Sequence, residues 1–196
     1  MENLAAIIES HDADRLALID GEDTVTYGQL RHRVDSLRAR LHADGFGPES
    51  RLAILAGNET DFVVAVLALL GLGAVVVPVR PTSPVPELVR KLQTVDPDAM
   101  LLGDAGRWVM EQASEITWPL LDLAELAPAA DGVGDGPEAP PIVERSADDL
   151  AFLLLTSGVS SDAKVAMLSH GNLSWVQRAI STDTPDGLSP DDIALG

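Results

Sequence analysis

Between residues 156 and 164 the chain reads TSGVSSDAK, which gathers four hydroxyls (Thr156, Ser157, Ser160, Ser161), one glycine (Gly158) and Lys164 into one short stretch. It follows the apolar run LAFLLL at 150–155 and precedes VAMLSHGNL at 165–173. A buried strand delivering such a loop suits a polyphosphate. Successive backbone N–H groups form an anion-binding nest, hydroxyls donate hydrogen bonds without adding charge, and the lysine supplies a point cation. The same composition also describes a polar turn between two strands, because Ser, Gly and Asp are common turn residues. On residue types alone both readings stand.

A Walker A loop is the nearest rival. The spacing from Gly158 to Lys164 fits G-x-x-x-x-G-K-[ST], but Ala163 replaces the second glycine and Val165 the Mg²⁺-ligating hydroxyl. A Walker A loop opens a helix, whereas Val165-Ala166-Met167-Leu168 is equally consistent with a strand, so a P-loop NTPase is disfavoured. His170 is read as a helix-start residue beside Gly171 and Asn172 rather than as a catalytic base. The helix expected over 172–181 places Leu173, Val176 and Ile180 on one face with Trp175 near it, as a core face.

The rest of the chain bounds what this loop belongs to. Its 196 residues carry 31 Asp+Glu against 13 Lys+Arg, a net charge of −18, with 46% hydrophobic residues and no cysteine. This is globular composition with enough chain for a buried core. The absence of cysteine removes disulfides, thiolate zinc sites and thiol nucleophiles. So acidic a chain repels a nucleic-acid backbone, and any phosphate must be held locally against the overall field. Only two cations are lysines, Lys91 and Lys164, which makes each worth attention. The interval 96–149 alone holds 13 acidic residues against Arg107 and Arg145. Within it, 127–146 is rich in Pro and Gly and reads as an acidic linker or surface loop.

No basic, apolar leader begins the chain. The uncharged stretch 62–79 sits at the lower edge of a membrane span, but Gly71 and Gly73 divide it into a helical half and a Val-rich strand half. No membrane span is expected. Upstream, a short helix at 3–10 precedes a hairpin formed by 16–20 and 23–25 around Gly21-Glu22. Thr26 and Gln29 form a capping box for a helix that Gly45 ends. Leu30, Val34, Leu37 and Leu41 line its core stripe, and Arg31, Arg33, Arg38 and Arg40 are expected on a solvated face. Strands at 51–56, 74–79, 99–102 and 119–123 alternate with helices at 58–70 (capped by Asn58), 87–95 and 105–115. Apolar strands alternating with helices predict an α/β fold with a largely parallel sheet flanked by helices. The expected division is an α/β N-terminal subdomain at 1–126, the linker at 127–146, and a phosphate-loop segment with its helix at 147–196.

Thr156-Ser157-Gly158-x-Ser160-x-x-x-Lys164 followed by Met167-Leu168-Ser169-His170-Gly171-Asn172-Leu173 resembles the phosphate-loop signature of the adenylate-forming (AMP-binding) ligases. These are the acyl-CoA synthetases, luciferase-like enzymes and peptide-synthetase adenylation domains. Upstream, Thr26-Tyr27-Gly28-Gln29-Leu30, Arg51-Leu52-Ala53-Ile54, Asn58 and the stretch 70–79 resemble segments of the same family in the same order. The resemblance extends from about residue 24 to the C-terminus and implies the N-terminal portion of that fold.

The resemblance implies that a small-molecule carboxylate is activated by ATP with Mg²⁺ to an acyl-adenylate, and the acyl group then passes to CoA, with a fatty acid as the expected substrate. Thr156, Ser157, Gly158, Ser160, Ser161 and Lys164 would then hold the ATP phosphates, stabilising the departing pyrophosphate electrostatically. The family pattern is T-S-G-[ST]-[ST]-G-x-P-K-G. Here Val159, Ser161, Ala163 and Val165 depart from it, which predicts a weaker or differently shaped loop. No catalytic residue and no metal ligand is expected within these residues. The chain is expected to be the front of a longer cytoplasmic ligase, inactive alone and self-associating through surface left exposed. Two alternatives remain: a non-catalytic nucleotide- or protein-binding module, and the front of a peptide-synthetase adenylation domain.

Overall fold

The computed structural model describes residues 3–111, 115–126, 138–156 and 164–183. A 3₁₀ turn, Leu4–Ile8, precedes the two-stranded antiparallel hairpin β1 (Leu16–Asp20) and β2 (Asp23–Thr26). Helix α1 (Tyr27–Ala43) begins in the expected capping box, with the Thr26 N–H donating to Gln29 Oε1 at 2.9 Å and the Gln29 N–H to Thr26 Oγ1 at 3.3 Å. It ends at Gly45, whose φ of 93° is the left-handed cap that the sequence signals.

The main sheet has the strand order β6-β5-β3-β4-β7-β8, formed by β3 (Arg51–Leu55), β4 (Val75–Val79), β5 (Ala99–Leu102), β6 (Leu120–Asp122), β7 (Leu150–Thr156) and β8 (Lys164–Ser169). Every neighbouring pair is parallel except β7 with β8. Helices α2 (Thr60–Gly71) and α3 (Val85–Val95) cover opposite faces; α4 (Trp108–Glu111), α5 (Leu123–Leu126) and α6 (His170–Asp183) complete the set. Alternate strand residues divide between two cores. Leu52, Ile54, Val76 and Leu101 pack with Leu37, Val64 and Ala68 on the α1/α2 side, while Ala53, Leu55, Val77 and Met100 pack with Leu88 and Leu92 of α3. Burial on both faces explains why these strands read as unbroken apolar runs. A fully buried leucine such as Leu69 or Leu88 stabilises the fold by about 2 kcal/mol.

The predicted helix and strand halves of 62–79 are α2 and β4, joined at Gly73 with φ 71°. No helix among the described residues is long and apolar enough to cross a membrane. Three local expectations are corrected. Glu59, not Asn58, is the N-cap of α2; its own side chain makes no capping bond, and the Thr60 N–H donates to Asp20 Oδ2 at 2.8 Å instead. Of the helix expected over 105–115, residues 105–111 instead form the end of a 3₁₀ turn (Asp104–Gly106) and then the short α4, and 112–114 lie outside the described residues. The arginines of α1 are not a solvated face. Arg38 is buried and pairs with Asp35, Arg33 pairs with Asp61, and Arg31 donates to the carbonyls of Ile8 and His11, so of the four only Arg40 is exposed.

Residues 138–146, which form neither helix nor strand, run past the end of α2 before a turn at 147–149. The last carbonyls of a helix lack intrahelical partners, and here this segment and the N-terminus supply donors. The Val143 N–H donates to the Gly71 carbonyl at 2.9 Å, and Asn3 Nδ2 donates to Leu70 at 2.6 Å and to Val143 at 2.9 Å. Arg38 Nε donates to the Pro140 carbonyl at 3.0 Å, and Arg145 donates to the Gly73 carbonyl while pairing with Glu49 at 2.9 Å. A cation at this end also opposes the helix dipole.

Candidate functional site

The register Val76↔Phe152 sets β7 beside β4, so β7 runs to the same carboxyl edge as β3, β4 and β5. Open α/β sheets bind ligands at that edge. β7 then turns back into β8 as an antiparallel hairpin whose last paired residues are Thr156 and Lys164. Thr156 Oγ1 donates to the Lys164 carbonyl at 3.2 Å, and both residues are exposed. Their side chains therefore bracket the mouth of the hairpin. Ser157, Gly158, Ser160 and Ser161 lie outside the described residues.

β8 resolves the Walker A comparison. A strand, not a helix, follows Lys164, and Val165 pairs with Leu155 and packs against the core on the α3 side. The residue that departs from the ligase signature at this position is thus accommodated as an ordinary strand residue.

Ser169 and Asn172 build the start of α6: the Ser169 N–H donates to Asn172 Oδ1 at 3.0 Å and the Asn172 N–H to Ser169 Oγ at 3.3 Å. His170 is the first residue of that helix, as expected. It is fully buried, its N–H donates to the Asp149 carbonyl at 2.9 Å, and neither ring nitrogen has a hydrogen-bond partner. Burial holds its pKa below the ordinary range; nearby Arg145 acts in the same direction and Asp149 against it. A neutral imidazole closed off from solvent is a packing group, not a base that meets substrate. Of the core face expected on α6, the Ile180 side chain lies outside the described residues. Leu173 packs inward, whereas Trp175 and Val176 are exposed.

Three charged groups at the carboxyl edge had no assigned role in the sequence. Glu59, after β3, accepts from the Gly57 N–H at 3.3 Å; burial raises its pKa more than that bond lowers it, and Asp61, Asp104 and Asp20 raise it further. Arg80 follows β4, and Lys91 of α3 pairs with Glu87 at 2.6 Å. The scarcity of lysine was the signal that could have found Lys91. Among the described residues no group of three or more His, Cys, Asp or Glu side chains is placed to hold a metal ion. What Thr156 and Lys164 can do is bind an anion.

The family model described as "AMP-binding enzyme" matches residues 5–196. Feruloyl-CoA synthase of Amycolatopsis sp is 32% identical over 91% of this chain and 35% of its own length. L-proline--[L-prolyl-carrier protein] ligase of Pseudomonas fluorescens is 33% identical over 80% of this chain and 32% of its own length. Among solved structures, ATP-bound MatB from Rhodopseudomonas palustris has a TM-score of 0.75 and 26% identity, covering 91% of this chain and 37% of that one. The chain spans about a third of the length of each of these proteins.

Proposed function

This chain belongs to the AMP-binding enzyme family of adenylate-forming ligases, and from that premise we propose that its β7–β8 loop holds the phosphates of ATP during activation of a carboxylate. The observation that carries the proposal is the Thr156–Lys164 pair, which puts a hydroxyl and a cation side by side at the carboxyl edge of the sheet. Likeness to an ATP-bound structure supports it. We assign Thr156, Ser157, Gly158, Ser160, Ser161 and Lys164 to the phosphates.

In the activation step a carboxylate oxygen attacks the α-phosphorus, pyrophosphate leaves, and an acyl-adenylate remains; a thiol then takes the acyl group as AMP departs. The residues proposed here perform no covalent chemistry. Their hydroxyls and the Lys164 ammonium orient the polyphosphate and stabilise the charge that develops on the leaving pyrophosphate. Mg²⁺ would accompany ATP and neutralise part of that charge; the described residues supply no ligand set for it, and no step is assigned to them through it.

We take coenzyme A as the acceptor, with a carrier-protein thiol as the second reading, which the similarity to the prolyl-carrier-protein ligase favours. The fatty-acid expectation gains no support from relatives named for feruloyl and L-prolyl groups, so the substrate class proposed is a carboxylic acid. The proposal places the reaction in the cytoplasm, where ATP and coenzyme A are supplied. The 196 residues alone are proposed not to form acyl-adenylate, since they span only about a third of the relatives' length.

With only two lysines in the chain, labelling gives a direct test. Brief acetylation followed by mass spectrometry should modify exposed Lys164 readily, and ATP should protect it. Equal labelling of Lys164 with and without saturating ATP would overturn the assignment.

A further inference from the structure

The start of α6 is pinned to the chain that leads into β7. The His170 N–H donates to the Asp149 carbonyl at 2.9 Å and the Gly171 N–H to the Ala147 carbonyl at 2.8 Å. The two backbones meet so closely that a Cβ at Gly171 would stand 2.8 Å from the Ala147 oxygen. At this junction the His170 side chain is fully buried, and neither ring nitrogen has a hydrogen-bond partner. A neutral imidazole is tolerated there. An imidazolium is not, because it would put a full charge and two N–H donors where no acceptor is free.

The charged groups facing His170 are Arg145 and Asp149. The Arg145 side chain, 9% exposed, is a like charge; it pairs with Glu49 at 2.9 Å and donates to the Gly73 carbonyl. The Asp149 carboxylate is already engaged, accepting from the Ser146 N–H at 2.8 Å and lying 3.7 Å from Arg145. The 3₁₀ turn Leu4–Ile8, which packs on α6, has no charged residue, and β8 has only Lys164, at its far end. Opening the junction brings solvent to an imidazolium at 170. What it releases is β8, which runs from Lys164 to Ser169 and leads directly into His170.

We propose that His170 is an acid-sensitive latch: its protonation frees the start of α6 from residues 146–149 and loosens β8, the arm of the hairpin that carries Lys164. The latch rests on the contacts at the junction; its effect on ATP rests on the function proposed above. Neutral His170 keeps the junction shut and the imidazolium opens it, so opening grows as pH falls below the ordinary histidine value of about 6.5. Acid thus lowers ATP affinity from outside the loop.

Amide hydrogen exchange of the 196-residue chain at about pH 7.5 and 5.5, corrected for the intrinsic pH dependence of exchange, tests the latch. Protection at His170 and Gly171 should fall several-fold, the limit being about tenfold for one proton taken up at the ordinary histidine value. Leu67 and Ala68, inside α2, should keep theirs. This comparison needs no variant. A fall in step at both places means global unfolding and overturns the proposal, as does unchanged protection at 170 and 171. His170→Phe, which fills the site with an uncharged ring, should hold its protection at both pH values; the same fall in this variant also overturns the proposal. ATP titrations read the consequence. Wild type should lose several-fold more affinity than His170→Phe between the two pH values, the protonation of ATP itself being common to both. Equal losses overturn the coupling to the hairpin. If wild type binds no ATP at about pH 7.5, the reading of the hairpin fails, and exchange still decides the latch without ligand.

Discussion

Thr156 and Lys164 close the β7–β8 hairpin as its last paired residues, and the Thr156 hydroxyl donates to the Lys164 carbonyl at 3.2 Å. The pairing sets the separation of the two loop ends by backbone geometry, leaving both side chains in solvent. A hydroxyl has one proton to donate, so on binding it would exchange the Lys164 carbonyl for a phosphate oxygen with little further ordering. Thr156→Val should therefore lower ATP affinity by about three- to tenfold while changing stability by less than about 1 kcal/mol. Calorimetric titration and urea denaturation check the two parts, and unchanged ATP affinity would remove Thr156 from the site.

Gly73 adopts φ 71°, and a Cβ there would stand 2.8 Å from Arg145 Nε. Gly73→Ala combines left-handed backbone strain with displacement of the guanidinium that caps α2. The expected loss is about 2 kcal/mol or more, read as a lower urea midpoint. A variant as stable as wild type would mean that the 138–149 segment is not held through Arg145.

His170 gives a pH signature. Its folded pKa lies below the ordinary 6.5, chiefly through burial. Below that ordinary value the unfolded chain binds a proton that the folded chain resists, so the contribution is fully present above the unfolded value and is lost as pH falls from it toward the folded pKa. Comparing urea midpoints at about pH 7.5 and 5.5 isolates the effect, because wild type should lose more than His170→Phe. The other histidines are common to both proteins and cancel. Equal losses would show that His170 is not buried neutral.

Met167 and Trp175 are each 67% exposed, Val176 is 48% exposed, and β8 is an edge of the sheet as described. An apolar edge of this kind favours self-association. Light scattering should show mass rising with concentration, and Trp175→Glu should suppress the rise. A constant monomer mass across the range contradicts this expectation.

The buried strands, the capping box of α1 and the Gly73 break were readable because each depends on neighbours within a few residues. The strand β8 was not decided by Val165–Leu168, since a four-residue apolar run fits helix or strand until its partner Leu155 is known. Arg38 looked like solvated surface because its acceptor, the Pro140 carbonyl, is 102 residues away, and Asn3 bonds Val143 across 140. Contacts at such separations leave no local pattern. At the site, residue types pointed to anion chemistry at Thr156 and Lys164, whereas Arg80 came into view only when β4 was placed beside β7.

The most direct test of the central claim is ATP titration of the 196-residue chain against its Lys164→Ala variant. Lys164 is exposed, so its removal should leave the fold intact, which a matching thermal transition would confirm. Loss of a charge-assisted contact to phosphate should weaken ATP binding at least about tenfold. Equal affinity in the two proteins would contradict the assignment of this hairpin to the ATP phosphates.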